Sequence, residues 1–116
     1  MWKDNATAAD ILLAAQDIER FTAGPSYEDF VNNRMVQSAV VFRIMVMGEA
    51  TKRLSEDFRR NHPSIEWKEL AGMRDRCVHG YDSINLDVVW QVVRVDAPAV
   101  EKYLKTIVKP PPTKES

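Results

Sequence analysis

Ala39-Val40-Val41-Phe42-Arg43-Ile44-Met45-Val46-Met47 is apolar at every position but one. It lies inside a long helical stretch expected from about residue 33 to residue 61. A surface helix needs a single apolar stripe, whereas this one is apolar nearly all round, so it should be covered on more than one side. Two arrangements fit. Either it is the central helix of a monomeric bundle, or it is shared between a core and a two-fold dimer interface. After Gly48 the pattern turns charged (Glu49, Lys52, Arg53, Glu56, Asp57, Arg59, Arg60), which reads as a mostly solvated face.

On either side the chain keeps a helical period. Ile11, Leu12, Ala15, Ile18 and Phe21 recur at three- and four-residue steps and predict an amphipathic helix over residues 5–22, stopped by Gly24-Pro25. Ser26 with Asp29 approximates a capping box for a short second helix that carries Tyr27, Phe30 and Val31. Pro63 disfavours a helical His62, so a break is expected at residues 61–64. A fourth helix is expected over residues 65–79, with Ile65, Trp67, Leu70, Met73 and Cys77 on its buried side and Gly80 at its end. Asp82-Ser83 is a turn. Asn85 can then cap a last helix whose stripe runs Leu86, Val89, Trp90, Val93, Ala97, Val100, Leu104, Ile107. Pro98 should kink or split that helix near Asp96. The expected architecture is all-α, an up-and-down bundle of four long helices plus one short one. The domain spans residues 1–108, and the polar, Pro-rich residues 109–116 read as a disordered tail.

The 116 residues allow one domain, and their composition is that of an ordinary globular chain: 45% hydrophobic and 28% charged. No apolar run is long enough to span a membrane, and the first residues carry no apolar signal segment. A single cysteine, Cys77, cannot form an internal disulfide, which points to a reduced, cytoplasmic setting. With a net charge of -1, any nucleic-acid contact must rest on local positive charge. No His/Cys cluster has metal-ligand spacing, so neither a metal nor a cofactor is expected.

The chemistry concentrates in Arg74-Asp75-Arg76-Cys77-Val78-His79-Gly80-Tyr81. If the helix continues to His79, Asp75 sits four residues before it on the same face and can hold the imidazole in one tautomer. A guanidinium clamps phosphate and stabilises a phosphorane; a histidine moves protons. RNA supplies its own nucleophile in the 2′-hydroxyl, so cleavage needs a base, an acid and a charge stabiliser. One His per chain leaves that set incomplete. A two-fold dimer would bring two His79 and two Arg74 into one cleft. On spacing alone, a helix-end His paired with an Asp is the plainer reading.

Arg74-x4-His79-x-Tyr81 resembles the signature of the HEPN superfamily in its HepT-like branch. The likeness continues through Asp10-Ile11-Leu12, Ser26-Tyr27-Glu28-Asp29-Phe30, residues 48–55, residues 67–81 and Val88-Val89-Trp90 to Pro98, about residues 4–108 in all. The resemblance implies a helical bundle that dimerises about a two-fold with the motif at the interface. It implies a metal-independent RNA endonuclease, the toxin of a type VII-like toxin–antitoxin module. The partner would be an MNT-type nucleotidyltransferase antitoxin that adds AMP to the motif tyrosine. Carried over, Arg74 would stabilise the phosphorane, His79 would transfer protons and Tyr81 would be the modification site. Asp75 stands in a polar slot where Asn is frequent, and its charge alters the field at the motif.

Arg76, Lys52 and Arg53 are candidate RNA contacts, although each alone reads as a surface charge. Glu49 either hydrogen-bonds across the interface near the motif or is plainly solvated. His62 reads as a helix cap, Cys77 as core, and Trp67 and Trp90 as core anchors. Two other readings stay open. One is a catalytically silent HEPN module that binds a nucleotide or a protein; the other is a plain helical interaction protein.

Overall fold

The computed structural model describes residues 2–24, 26–81 and 83–109. Helix α1 (Trp2–Phe21) buries Ala8, Ile11, Ala14, Ala15 and Ile18 and lies along both α3 and the C-terminal helix. Its Asp17 is buried yet charged. It pairs with Arg20 on the same helix and with Arg43 Nε of α3 at 3.2 Å. Helix α2 (Tyr27–Val31) starts on the expected capping box of Ser26 and Asp29. The Gln37 amide donates to the carbonyls of Phe30 (2.8 Å) and Val31 (2.9 Å), which fastens the end of α2 to α3. Pro25 of the expected Gly24-Pro25 break and Asp82 of the expected Asp82-Ser83 turn lie outside the described residues.

Helix α3 (Arg34–Thr51) carries the apolar run and buries Val40, Ile44, Met47, Gly48 and Thr51. It ends ten residues before the sequence pattern suggested. Arg53 N and Leu54 N wind back onto Ala50 O and Thr51 O, Leu54 goes into the core, and Ser55 opens a separate helix α4 (Glu56–Asn61). The cause is a cap that the charge pattern hid. Ser55 Oγ accepts from Phe58 N, while Asp4 of α1 accepts from both Ser55 N (2.9 Å) and Ser55 Oγ (2.7 Å). Those two bonds hold the Asp4 carboxyl below its ordinary pKa.

The expected fourth helix is two short ones, α5 (Trp67–Ala71) and α6 (Met73–Cys77), separated at Gly72. It stops two residues short of His79. Val78–His79 (β1) pairs antiparallel with Ser83–Ile84 (β2), Val78 opposite Ile84 and His79 opposite Ser83. β-branched Val78 and Ile84 suit that pairing. Gly80, at φ +63°, supplies the left-handed residue the turn needs, so it shapes a hairpin instead of capping a helix. The Asn85 side chain then caps α7 (Leu86–Gln91), which continues through a π turn (Val92–Asp96) into α8 (Ala97–Ile107). Pro98 has no N–H to donate to residue 94. The widened turn just before it absorbs that lost bond, so the helix changes winding near Asp96 without a break.

Among the described residues the fold is all-α but for this two-residue pairing. Among the described residues three long rods (α1, α3 and α7–π–α8) form the bundle; the short α4 stands where the expected third helix would have ended, and the short α5 and α6 replace the expected fourth. Among the described residues, no helix is long and apolar enough to cross a membrane. Lys109 is tied to the start of α1: its N–H donates to Asn5 Oδ1 (2.8 Å) and its carbonyl accepts from Asn5 Nδ2 (3.1 Å). Residues 110–116 of the expected tail lie outside the described residues.

Candidate active site at the end of α6

Cys77 anchors the motif. Its side chain is fully buried, and burial pushes the thiol up to about 11, so it serves as core. Its carbonyl accepts from Asn85 N at 2.7 Å, fixing the base of the hairpin. The polar members around it point outward: Arg74, Asp75, Arg76, His79 and Tyr81 are all exposed. Tyr81 is 100% exposed, because the Gly80 turn swings it clear of the bundle.

The expected Asp75–His79 pairing on one helix face does not form, because His79 has left the helix. Asp75 instead accepts from its neighbour Arg74, Nη1 to Oδ1 at 3.3 Å. Among the described residues the His79 ring has no hydrogen-bond partner. Its backbone carbonyl faces Ser83 Oγ at 3.5 Å.

Arg74 and Asp75 line a pocket of about 240 Å³ between α3 and the α5–α6 pair, with Met45, Gly48, Glu49, Lys52 and Ala71. Gly48 makes this closeness possible. A Cβ there would lie 3.0 Å from the carbonyl oxygen of Ala71, inside ordinary contact distance. The packing brings Lys52 to the Arg74 side, paired with Glu49 at 3.1 Å. The other two candidate RNA contacts go elsewhere. Arg53 faces the cleft between α1 and α3, and Arg76 faces the π turn, where it offsets part of the burial that raises the Asp96 pKa. A larger concavity of about 680 Å³, between α1, α4 and the end of α8, holds none of the motif residues.

Beside the pocket, α3 presents an apolar seam to solvent. Met35 (79% exposed), Phe42 (52%) and Met45 recur at seven- and three-residue steps, and Leu13 of α1 stands exposed as well. The apolar run therefore has two sides. Val40, Ile44 and Met47 face the core, and Phe42 and Met45 face out. The remaining candidates are structural. His62 ends α4, stacks on Phe58 and meets the Tyr103 hydroxyl through Nδ1 at 2.7 Å, and its carbonyl accepts from Trp67 Nε1. Trp90 packs on Phe30 and Tyr27, with Arg94 over its ring. Among the described residues, no three His, Cys, Asp or Glu side chains cluster as metal ligands would.

The family model described as "Ribonuclease HepT-like" matches residues 11–107, from the middle of α1 to the last residue of α8. The chain belongs to the HepT-like ribonuclease family. Curated relatives agree. "Putative RNase MJ1216" of Methanocaldococcus jannaschii is 40% identical over 100 residues, covering 86% of this chain and 83% of that one. "Probable ribonuclease HepT" of Thermococcus cleftensis is 39% identical over 92 residues, 79% of this chain and 84% of that one. No solved structure matches. Membership in this HEPN-type family makes ribonuclease the coarse activity.

Proposed function

We propose that this HepT-like chain is the toxin of a type VII-like toxin–antitoxin module, a cytoplasmic, metal-independent RNA endonuclease working as a two-fold dimer. The observation that carries the reading is a juxtaposition. Exposed Arg74 lines a pocket that shares Met45 with the bare apolar seam of α3, and exposed His79 follows five residues on. A second copy laid on that seam closes a cleft with two Arg74 and two His79.

In that cleft one His79 takes the proton of a ribose 2′-hydroxyl. The 2′-oxygen attacks the adjacent phosphorus, and Arg74 holds the charge that builds on the non-bridging oxygens. The partner subunit's His79 protonates the departing 5′-oxygen, leaving a 2′,3′-cyclic phosphate and a 5′-hydroxyl. Asp75 sets the resting position of Arg74. Arg76 and Arg53 lie outside this pocket, so Lys52 is the stronger candidate for an RNA contact beside Arg74.

Tyr81 is the proposed modification site. Its exposed phenol can attack the α-phosphorus of ATP held by an MNT-type nucleotidyltransferase antitoxin, giving O-AMP-tyrosine and pyrophosphate. The new phosphate would stand two residues from His79 and repel an incoming RNA backbone.

The test is cleavage of RNA by the purified protein in excess EDTA, beside His79→Ala at matched dimer content. Cleavage by the parent and not by the variant supports the reading. No cleavage by either, with dimer intact and Tyr81 unmodified by intact mass, favours a silent binding module instead. For the modification, intact mass after incubation with the partner enzyme and ATP should rise by AMP units in the parent and stay unchanged in Tyr81→Phe.

A further inference from the structure

The pocket between α3 and α5–α6 carries more than one cation. Two ion pairs line it, Lys52–Glu49 at 3.1 Å and Arg74–Asp75 at 3.3 Å, so its four charges sum to zero. Neither pair is built to last. Every side chain in them is at least 45% exposed, and each pair makes a single nitrogen–oxygen contact. Exposed pairs of this kind are worth tenths of a kcal/mol. The two cations come from different elements, α6 for Arg74 and the residue after α3 for Lys52, held near one another by the close backbone approach at Gly48.

We infer that this pocket is an anion subsite kept neutral in the free protein by its own carboxylates, and that an RNA phosphodiester enters it by displacing Asp75 from Arg74 and Glu49 from Lys52. The inference rests on RNA being the substrate, as proposed above. A phosphodiester presents two non-bridging oxygens to a guanidinium fork and can meet an ammonium at the same time, which neither resident carboxylate does. A small monovalent anion gains only one of these contacts and competes poorly with a carboxylate tethered to the same backbone. Asp75 and Glu49 are therefore specificity devices. They lower affinity for every anion, and only a ligand that engages Arg74 and Lys52 together recovers the loss.

The experiment measures binding apart from cleavage. A 2′-O-methyl RNA oligonucleotide, which has no free nucleophile, is titrated with full-length protein by fluorescence anisotropy at several salt concentrations. Asp75→Asn and Glu49→Gln should each tighten Kd by about threefold or more, the scale of one exposed ion pair. Each should also steepen the dependence of log K on log salt by up to about 0.7, one further phosphate contact on a single strand. Lys52→Ala should weaken binding, and adding Glu49→Gln to it should bring no recovery. Glu28→Gln, an equal charge change on α2, should do nothing. Unchanged or weaker binding in either carboxylate variant, or an equal gain in Glu28→Gln, overturns the inference. Cleavage of unmodified RNA by the parent is followed in parallel. Cleavage with no tightening in the variants keeps the nuclease and removes the subsite; tightening with no cleavage does the reverse.

Discussion

Gly48→Ala tests the packing that places Arg74. In an exposed helix this change would stabilise by about 1 kcal/mol, because glycine is the poorer helix former. At position 48 the added methyl meets backbone: 3.0 Å to Ala71 O, 3.4 Å to Leu70 O and 3.7 Å to the Ala71 carbonyl carbon. Main-chain atoms of a helix cannot rotate aside, so α5 and α6 must shift together by a few tenths of an ångström. Overpacking of that kind costs about 1–3 kcal/mol. Set against the helix gain, the net is a loss of roughly 0–2 kcal/mol, or up to about 2 M in the urea midpoint of a small domain. The same shift moves Arg74 away from Lys52, so cleavage should fall even where the protein remains folded. Urea unfolding at several protein concentrations, with cleavage assayed on the same samples, reads both effects. A midpoint raised as far as propensity alone requires, with cleavage intact, would refute the close-approach account.

Further expectations follow from other parts of the fold. Phe42→Glu places a charge in the centre of the bare α3 seam and should leave a 13.3 kDa monomer by light scattering, with cleavage lost; a stable, active dimer would show that the seam is not the interface. Glu19 of α1 and Glu101 of α8 share a proton, which raises Glu19 to about 7 and lowers Glu101. The folded state therefore holds a proton on Glu19 that the unfolded chain has released, and stability from this contact is lost as pH rises towards and through 7. Glu101 shifts the opposite way and offsets part of that loss. Glu19→Gln keeps a donor towards Glu101 at every pH, so its Tm should fall less than the parent's between pH 5.5 and 8; parallel curves would sink the shared-proton account. Cys77, buried with its thiol near 11, should stay silent to a thiol reagent at pH 8 until denaturant is added. Rapid labelling of the native protein would contradict its place in the core.

The long rods were legible because burial repeats at the helical period. Ile11 to Ile18 and Val89 to Leu104 are core on both readings. Caps with short polar side chains were legible too, at Ser26 and Asn85. The break after Thr51 was not, since its decisive partner, Asp4, lies 51 positions away and no local pattern reports it. The end of α6 was misplaced for a similar reason. Cys77, Val78 and His79 fit a helical pattern as written, and only pairing with Ser83–Ile84 draws the last two out of it. The same pairing decides the local geometry of the motif: it takes His79 off the helix face of Asp75, which meets Arg74 instead. The motif itself was legible through its resemblance and not through spacing, which left catalysis the weaker reading. The nearness of Lys52 and Glu49 to Arg74 depends on Gly48. A glycine at the end of an apolar run was the one available sign that two backbones meet there.

The central claim is that Arg74 and His79 make this chain a ribonuclease using the substrate's own 2′-hydroxyl. Its most direct test is the chemistry of the ends that it leaves. An RNA and the DNA of the same sequence are incubated with the purified protein in excess EDTA, and the products are weighed by mass spectrometry. The account predicts RNA fragments ending in 2′,3′-cyclic phosphate with 5′-hydroxyl partners, untouched DNA, and no products from His79→Ala. Fragments with 3′-hydroxyl and 5′-phosphate ends, or DNA cut as readily as RNA, would contradict it.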